Sequence, residues 1–139
     1  KSYSVKLAGE KIILTVPENS SCSGREEVLN ELCRSELKRA LPEVIKICSG
    51  RVGVQVDSFS VRKMKACWGT CHIKKKHIII NLQLARKPPE CLEYVVVHEL
   101  VHLIEKNHTK RFHALVSKNF PNEQEQRVKK LLAESKLDI

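Results

Sequence analysis

No stretch of this 139-residue chain is apolar for long enough to cross a bilayer, so no membrane partner is expected. No basic-then-apolar leader with a small-residue cleavage site opens it. Internal repeats, low-complexity tracts and Pro/Gly/Ser-rich linkers are missing as well, which excludes solenoids and leaves nothing to divide separate domains. Acidic residues are in deficit, 16 against 25 lysines and arginines, for a formal net charge of +9. Six cysteines without a secretion signal fit reduced thiols better than three disulfides, and the expected location is cytoplasmic. The hydrophobic share, 42%, excludes wholesale disorder, and the length suits one core. The chain starts at Lys1 rather than Met, as expected of a fragment or a processed protein.

The positive excess favours encounter with polyanions and says nothing of the fold. It is gathered in short clusters: Arg62, Lys63 and Lys65; Lys74 to Lys76; Lys106, Lys110 and Arg111; Arg127, Lys129 and Lys130. Two readings fit these clusters, solvated faces with one turn, or a basic surface for nucleic acid as a partner. Cys67 and Cys71 would share one face of a strand, and with His72 or His77 they could hold a structural zinc, although the spacing is not the usual CxxC.

Alternation over residues 3–16, around Ala8-Gly9, predicts a β-hairpin, followed by a loop at 17–24. Val28, Leu29, Leu32, Leu37 and Leu41 recur at helical spacing, so a helix is expected from Arg25 to Leu41, with a continuation past Pro42 toward Cys48. Three strands are expected at 51–57, 59–71 and 77–85, with Lys74 to Lys76 at the hairpin tip between the last two. "RKPPE" stops the sheet and starts a central helix from Pro89 to Lys106. Further helices are expected over 110–119 and 122–137. The order predicts an α+β domain over 25–139: N-terminal helix, small antiparallel sheet of about three strands, central helix, two C-terminal helices.

The central helix carries the chemistry. In "YVVVHELVHLIEKNH" two glutamates and three histidines are threaded through core material, and a buried carboxylate without a partner is strongly unfavourable. His98, Glu99 and His102 spell HExxH. One helical turn apart, His98 and His102 project from one face as two ligands to one metal, and Glu99, offset by one residue, can reach a water beside it. A divalent cation would neutralise the cluster and make the buried acid tolerable. A catalytic zinc needs a third protein ligand and an open position. His108 is the candidate, on a corner between Asn107, a helix-stop residue, and Thr109, a good N-cap; His113 is the competitor. A shuffled chain of this composition would spell HExxH about once in forty tries, and with a histidine also at 108 about once in a thousand.

Tyr94 and Glu105 fall on the same helical stripe as the histidines. Glu105 is read either as a carboxylate orienting an imidazole through its second nitrogen or as a solvated residue near the helix end. Tyr94 is read as core, with a hydrogen bond to a reacting oxyanion as the alternative; Arg62 and His77 are the other oxyanion candidates.

These residues resemble the signature of the YgjP-like metallopeptidase domain, a zincin-type family. "YVVVHELVHLIEKNHTKRF" carries the resemblance, with "RKMKACWGTC" (62–71), "INLQLARKPPECLEYVVVHE", Phe112 and Pro121. It implies a zincin-like α+β fold, one zinc ion on His98, His102 and His108, and Glu99 as catalytic base. It also makes residues 1–24 the end of a missing β-rich segment. Thr70, Cys67 and His113 depart from the family's usual Ser, Arg and Trp. The expected activity is cleavage of a peptide or protein substrate, with zinc-bound water attacking the carbonyl, Glu99 moving the proton, and the strand ending at Trp68 as one wall of the cleft. Two rival readings are a SprT/Spartan-like protease acting on DNA–protein crosslinks, and a non-catalytic basic binding module with a structural zinc.

Overall fold

A computed structural model of the chain describes residues 4–8, 11–15, 22–135 and 137. The expected N-terminal hairpin is present as β1 (Ser4–Ala8) and β2 (Lys11–Thr15), antiparallel with Ser4 opposite Thr15. Its turn at Gly9, and positions 17–21 of the expected loop, lie outside the described residues.

The next helix, α1 (Cys22–Val52), is longer than expected at both ends and runs straight through Pro42. Cys33, Leu37, Leu41 and Cys48 are all buried on one stripe, so the same core grips the helix on both sides of the proline and offsets the hydrogen bond that proline cannot donate. The helix stops at Gly53, whose φ of +81° is the left-handed region that glycine enters freely. Its N–H closes on the Ser49 carbonyl at 2.8 Å. Residues 54–57 were expected to be strand. They keep the alternation, with Val54 and Val56 half-buried between exposed neighbours, but they pair with no strand.

The sheet consists of β3 (Ser58–Arg62), β4 (Gly69–His72) and β5 (His77–Asn81) in the order β3-β5-β4. β4 and β5 form the expected hairpin with Lys74 to Lys76 in its turn. β3, however, runs parallel to β5, from Ser58 opposite His77 to Arg62 opposite Asn81. The sheet is therefore mixed rather than wholly antiparallel, and the single strand expected over 59–71 is two. The cause is the crossover 63–68, which carries the chain to the far side of β5 before it turns back.

Asn81 holds that crossover. It is fully buried; its Nδ2 donates to the carbonyls of Met64 and Cys67 at 2.9 and 3.0 Å, and its Oδ1 accepts from Gln83 N–H at 3.0 Å. Phe59, Val61, Ile78 and Ile80 turn into the core, where α1 lies against β3 and the central helix α2 (Pro89–Val101) against β4 and β5. A 3-10 turn (Leu82–Arg86) leads from β5 to α2, which starts on Pro89 as expected.

α3 (Lys110–Asn119) and α4 (Asn122–Ala133) close the core. α3 matches its expected span, with Thr109 as the expected N-cap accepting from Phe112 N–H at 3.2 Å. α4 stops short of Leu137. Its last carbonyls find side-chain donors: the Trp68 indole N–H reaches Leu132 O at 3.2 Å and the Lys87 ammonium reaches Leu131 O at 3.1 Å.

Replacing Asn81 by leucine strips partners from two carbonyls and one N–H at once. Asn81→Leu is expected to lower unfolding free energy by about 3 kcal/mol, read as a shift of the denaturant midpoint at unchanged slope.

Candidate metal centre

From Cys91 to Val101 every residue of α2 except Glu93 is buried. A helix apolar on all sides must be enclosed, and α1, α3, α4 and the strands β4 and β5 surround it. His98 and Glu99 are carried into the core with it, 5% and 2% exposed. Regular helical bonding ends at Val101, earlier than the expected Lys106. Leu103 and Ile104 N–H bond only three residues back, to Leu100 and Val101, and Glu105 N–H shares the Val101 carbonyl. This tightening turns the chain, and a bond from Thr109 N–H to Asn107 O at 2.8 Å sharpens the corner on which His108 sits.

The turn brings the three histidines together. Ring centroids lie 5.3 Å apart for His98–His102, 5.3 Å for His98–His108 and 4.9 Å for His102–His108. One ligand nitrogen from each lies within 4.8 Å of the other two. A tetrahedral site with bonds of about 2.1 Å spaces its ligand atoms about 3.4 Å apart, so small imidazole tilts suffice to close on an ion. No fourth His, Cys, Asp or Glu joins this group among the described residues, which leaves a coordination place open.

The tautomers suit such a role. His102 Nδ1 lies 3.0 Å from the Lys106 carbonyl, which can only accept, so Nδ1 carries the proton and Nε2 keeps its lone pair. His98 Nδ1 lies 3.2 Å from Glu99 Oε2, with the same consequence. Burial first, then the neighbouring imidazoles, hold the His108 pKa below the usual imidazole range, against a smaller opposing pull from Glu99. Its lone pair therefore stays available at lower pH than in a free histidine.

Beneath the three rings lies Phe112, fully buried, with its centroid 4.8, 4.5 and 4.9 Å from those of His98, His102 and His108. Across from them, β4 packs directly on α2. A Cβ built on Gly69 would meet Val95 Cγ1 at 3.0 Å, Glu99 Cγ at 3.2 Å and the Ile79 carbonyl at 3.2 Å. Glycine is thus what allows the strand to sit against Glu99. Cys71, two residues on, has its pKa pushed up to about 11 by burial and then by the Glu99 charge, so it is a neutral thiol and a poor ligand at neutral pH. The roles of Phe112, Gly69 and the Lys106 carbonyl were not read from the sequence. A glycine in a strand facing an active helix is the one signal that could have been.

Other candidate residues are placed elsewhere. Of its two readings Glu105 fits the residue near the helix end, 3.6 Å from Arg111, and the carbonyl that meets His102 Nδ1 is that of Lys106. Trp68 is fully buried with its indole on α4, so it lies in the core rather than on a cleft wall. Tyr94 is buried with its ring edge-on to Phe120 at 5.1 Å, and its ring stands 6.4 Å from His98, as expected of core packing. His113 is exposed and stacks at 6.3 Å on the outer side of His108, outside the three-nitrogen group. His77 is bracketed by the Ser58 and Ser60 hydroxyls at 2.7 and 3.0 Å on β3, away from Cys67 and Cys71 as a metal set. Arg62 lies on β3, at the opposite edge of the sheet from β4. Of the basic clusters, Lys63, Arg111, Arg127 and Lys129 are engaged in ion pairs with Glu26, Glu105, Glu90 and Glu125.

The profile of the YgjP-like metallopeptidase domain family matches residues 1–134. Two crystal structures share the fold. The metallopeptidase zymogen abylysin of Pyrococcus abyssi is 20% identical, with a TM-score of 0.62 over 70% of this chain and 97% of its own. The metallopeptidase zymogen jannalysin of Methanocaldococcus jannaschii is 17% identical, with a TM-score of 0.59 over 69% and 96%. No curated protein matches in sequence. Among the described residues no helix is long and apolar enough to cross a membrane.

Removing the ring under the histidines tests whether it seats them. Phe112→Ala should cost about 3–5 kcal/mol of stability through the cavity it leaves. Phe112→Leu should keep the fold and weaken divalent-metal affinity about tenfold or more, measured by chelator competition on the folded variant.

Proposed function

The chain belongs to the YgjP-like metallopeptidase domain family, and on that premise we propose that it is a peptidase dependent on one zinc ion held by His98, His102 and His108. The observation that carries this reading is the meeting of three imidazole nitrogens, all within 4.8 Å, beside a glutamate only 2% exposed. Three neutral nitrogen donors with a vacant fourth place suit zinc and suit catalysis rather than a closed structural site. Bound there, the metal supplies Lewis acidity that acidifies water and polarises a peptide carbonyl.

The chain's own groups supply the rest. Glu99, whose Cγ lies against Gly69, accepts the proton of the attacking water and returns it to the leaving amine. The Lys106 carbonyl holds His102 in the tautomer that presents Nε2. β4 is an edge strand of its sheet, and an extended substrate adds to that edge beside Glu99. The catalytic unit, expected from residue 25, takes in the whole of α1 from Cys22, and the β1–β2 hairpin before it is the segment apart. The mixed α+β core and its buried thiols (Cys33, Cys48 and Cys91) suit a reducing compartment such as the cytoplasm.

Glu99→Gln should retain zinc while peptide hydrolysis falls by at least about a hundredfold. His108→Ala should lose the metal. Elemental analysis after gel filtration in chelator-free buffer, alongside a peptide-cleavage assay, reads both. Wild-type protein that carries no zinc, or Glu99→Gln that still cleaves, would end this reading.

A further inference from the structure

We propose that the substrates of this site are acidic peptides, with Asp or Glu within a few residues of the cleaved bond; this rests on the peptidase reading above. The reason is a segregation of charge that the overall +9 conceals. From Ser58 to Pro89, spanning the β3–β5 sheet and the turn after it, there is no aspartate or glutamate. From Lys106 to Asn122, spanning the corner and α3, there is none either. The acids gather mostly on α1, α2 and α4.

These two acid-free segments flank the histidine cluster. On one side β4 sits against Glu99 through Gly69. Past the end of β4 at His72, the hairpin turn carries the exposed Lys74, Lys75 and Lys76, with Asp57 the one acid beside it, its N–H on the Lys76 carbonyl at 2.9 Å. On the other side stand exposed Lys106, whose carbonyl holds His102, and exposed Lys110, two residues after His108. None of these five lysines forms an ion pair among the described residues. Glu99 is almost wholly buried, and Glu105 is neutralised by Arg111. A chain laid between the two walls meets positive charge on both flanks, and complementary charge governs capture and register.

Peptide is favoured over nucleic acid because no Trp, Tyr or Phe side chain is exposed among the described residues. Trp68, Phe112 and Phe120 are buried, and the exposed large hydrophobic residues are Ile47, Ile73 and Ile104, whereas single strands are held by exposed aromatics.

The test has two arms. Zinc-loaded wild type digests a proteome-derived peptide library, and cleavage sites are read by mass spectrometry. Separately, peptides of one core with Glu, Ser or Lys flanks are titrated against Glu99→Gln by fluorescence anisotropy at low and high salt. Expected are acidic enrichment around cleavage sites and binding of the Glu-flanked peptide about tenfold tighter than the Ser-flanked one at low salt, fading as salt screens the charges. The triple variant Lys74→Glu/Lys75→Glu/Lys76→Glu should weaken the Glu-flanked peptide and favour the Lys-flanked one. Equal affinities, or sites without acidic bias, overturn the proposal. A library left uncut refutes the peptidase reading, and the binding order then decides the charge proposal alone. A duplex oligonucleotide that outcompetes the acidic peptide on wild type, and loses that advantage on the triple variant, assigns the walls to nucleic acid and overturns it too.

Discussion

The contact of one phenyl ring with three imidazoles is the constraint on which the rest of this molecule turns. His98 comes from α2, His102 from its C-cap and His108 from the corner beyond, yet all three pack on Phe112 at centroid distances below 5 Å. Phe112 is itself placed by Thr109, whose side chain caps α3 through the Phe112 N–H. Helix end, corner and next helix start thus converge on one ring. An apolar floor also withholds competing hydrogen bonds, so His98 and His102 are left to the partners their Nδ1 atoms find, and their other nitrogens stay available.

The enclosing shell explains why polar residues survive in the middle of the core. α2 is surrounded by three helices and two strands, which ordinarily would forbid a carboxylate at Glu99. The close seat at Gly69 holds β4 on one side of the Glu99 side chain, and the His98 ring bonds its carboxylate on the other. The two archaeal zymogen structures share this α+β arrangement at 20% and 17% identity. So distant a match in sequence reflects a fold that tolerates wide substitution.

Much of this was legible in the sequence. The period of three to four in α1, the proline entry of α2, the Thr109 cap and the lysine-rich turn each rest on local chemistry, and each is present, although α1 outruns its expected span and α2 falls short of its own. Where the reading departs from the structure, the deciding interaction is distant. Strand direction in β3 depends on Asn81 gripping the 63–68 crossover from the central strand β5, which no alternation of Val and Ile reveals. α1 ignores Pro42 because Leu37, Leu41 and Cys48 are buried on both sides of it. Trp68 looks like cleft material until the carbonyl at Leu132, far along the chain, claims its N–H. At the candidate centre the three histidines were legible from spacing. Their floor and the carbonyl that orients His102 were not, because a backbone oxygen carries no residue letter.

The corner between His102 and Thr109 has one more implication, for how such a protein can diverge. Its geometry is carried by bonds to backbone carbonyls of fixed reach: Ile104 and Glu105 N–H to Val101 O, His102 Nδ1–H to Lys106 O, Thr109 N–H to Asn107 O. Side chains along it point to solvent at Ile104, Lys106 and Asn107 and are open to drift, whereas Thr109 is held to its role as the cap of α3. Chain length is another matter, since a single inserted or deleted residue would rotate His108 off the ring beneath it. Descendants of this chain are therefore free to rewrite the letters of the corner but not to recount them.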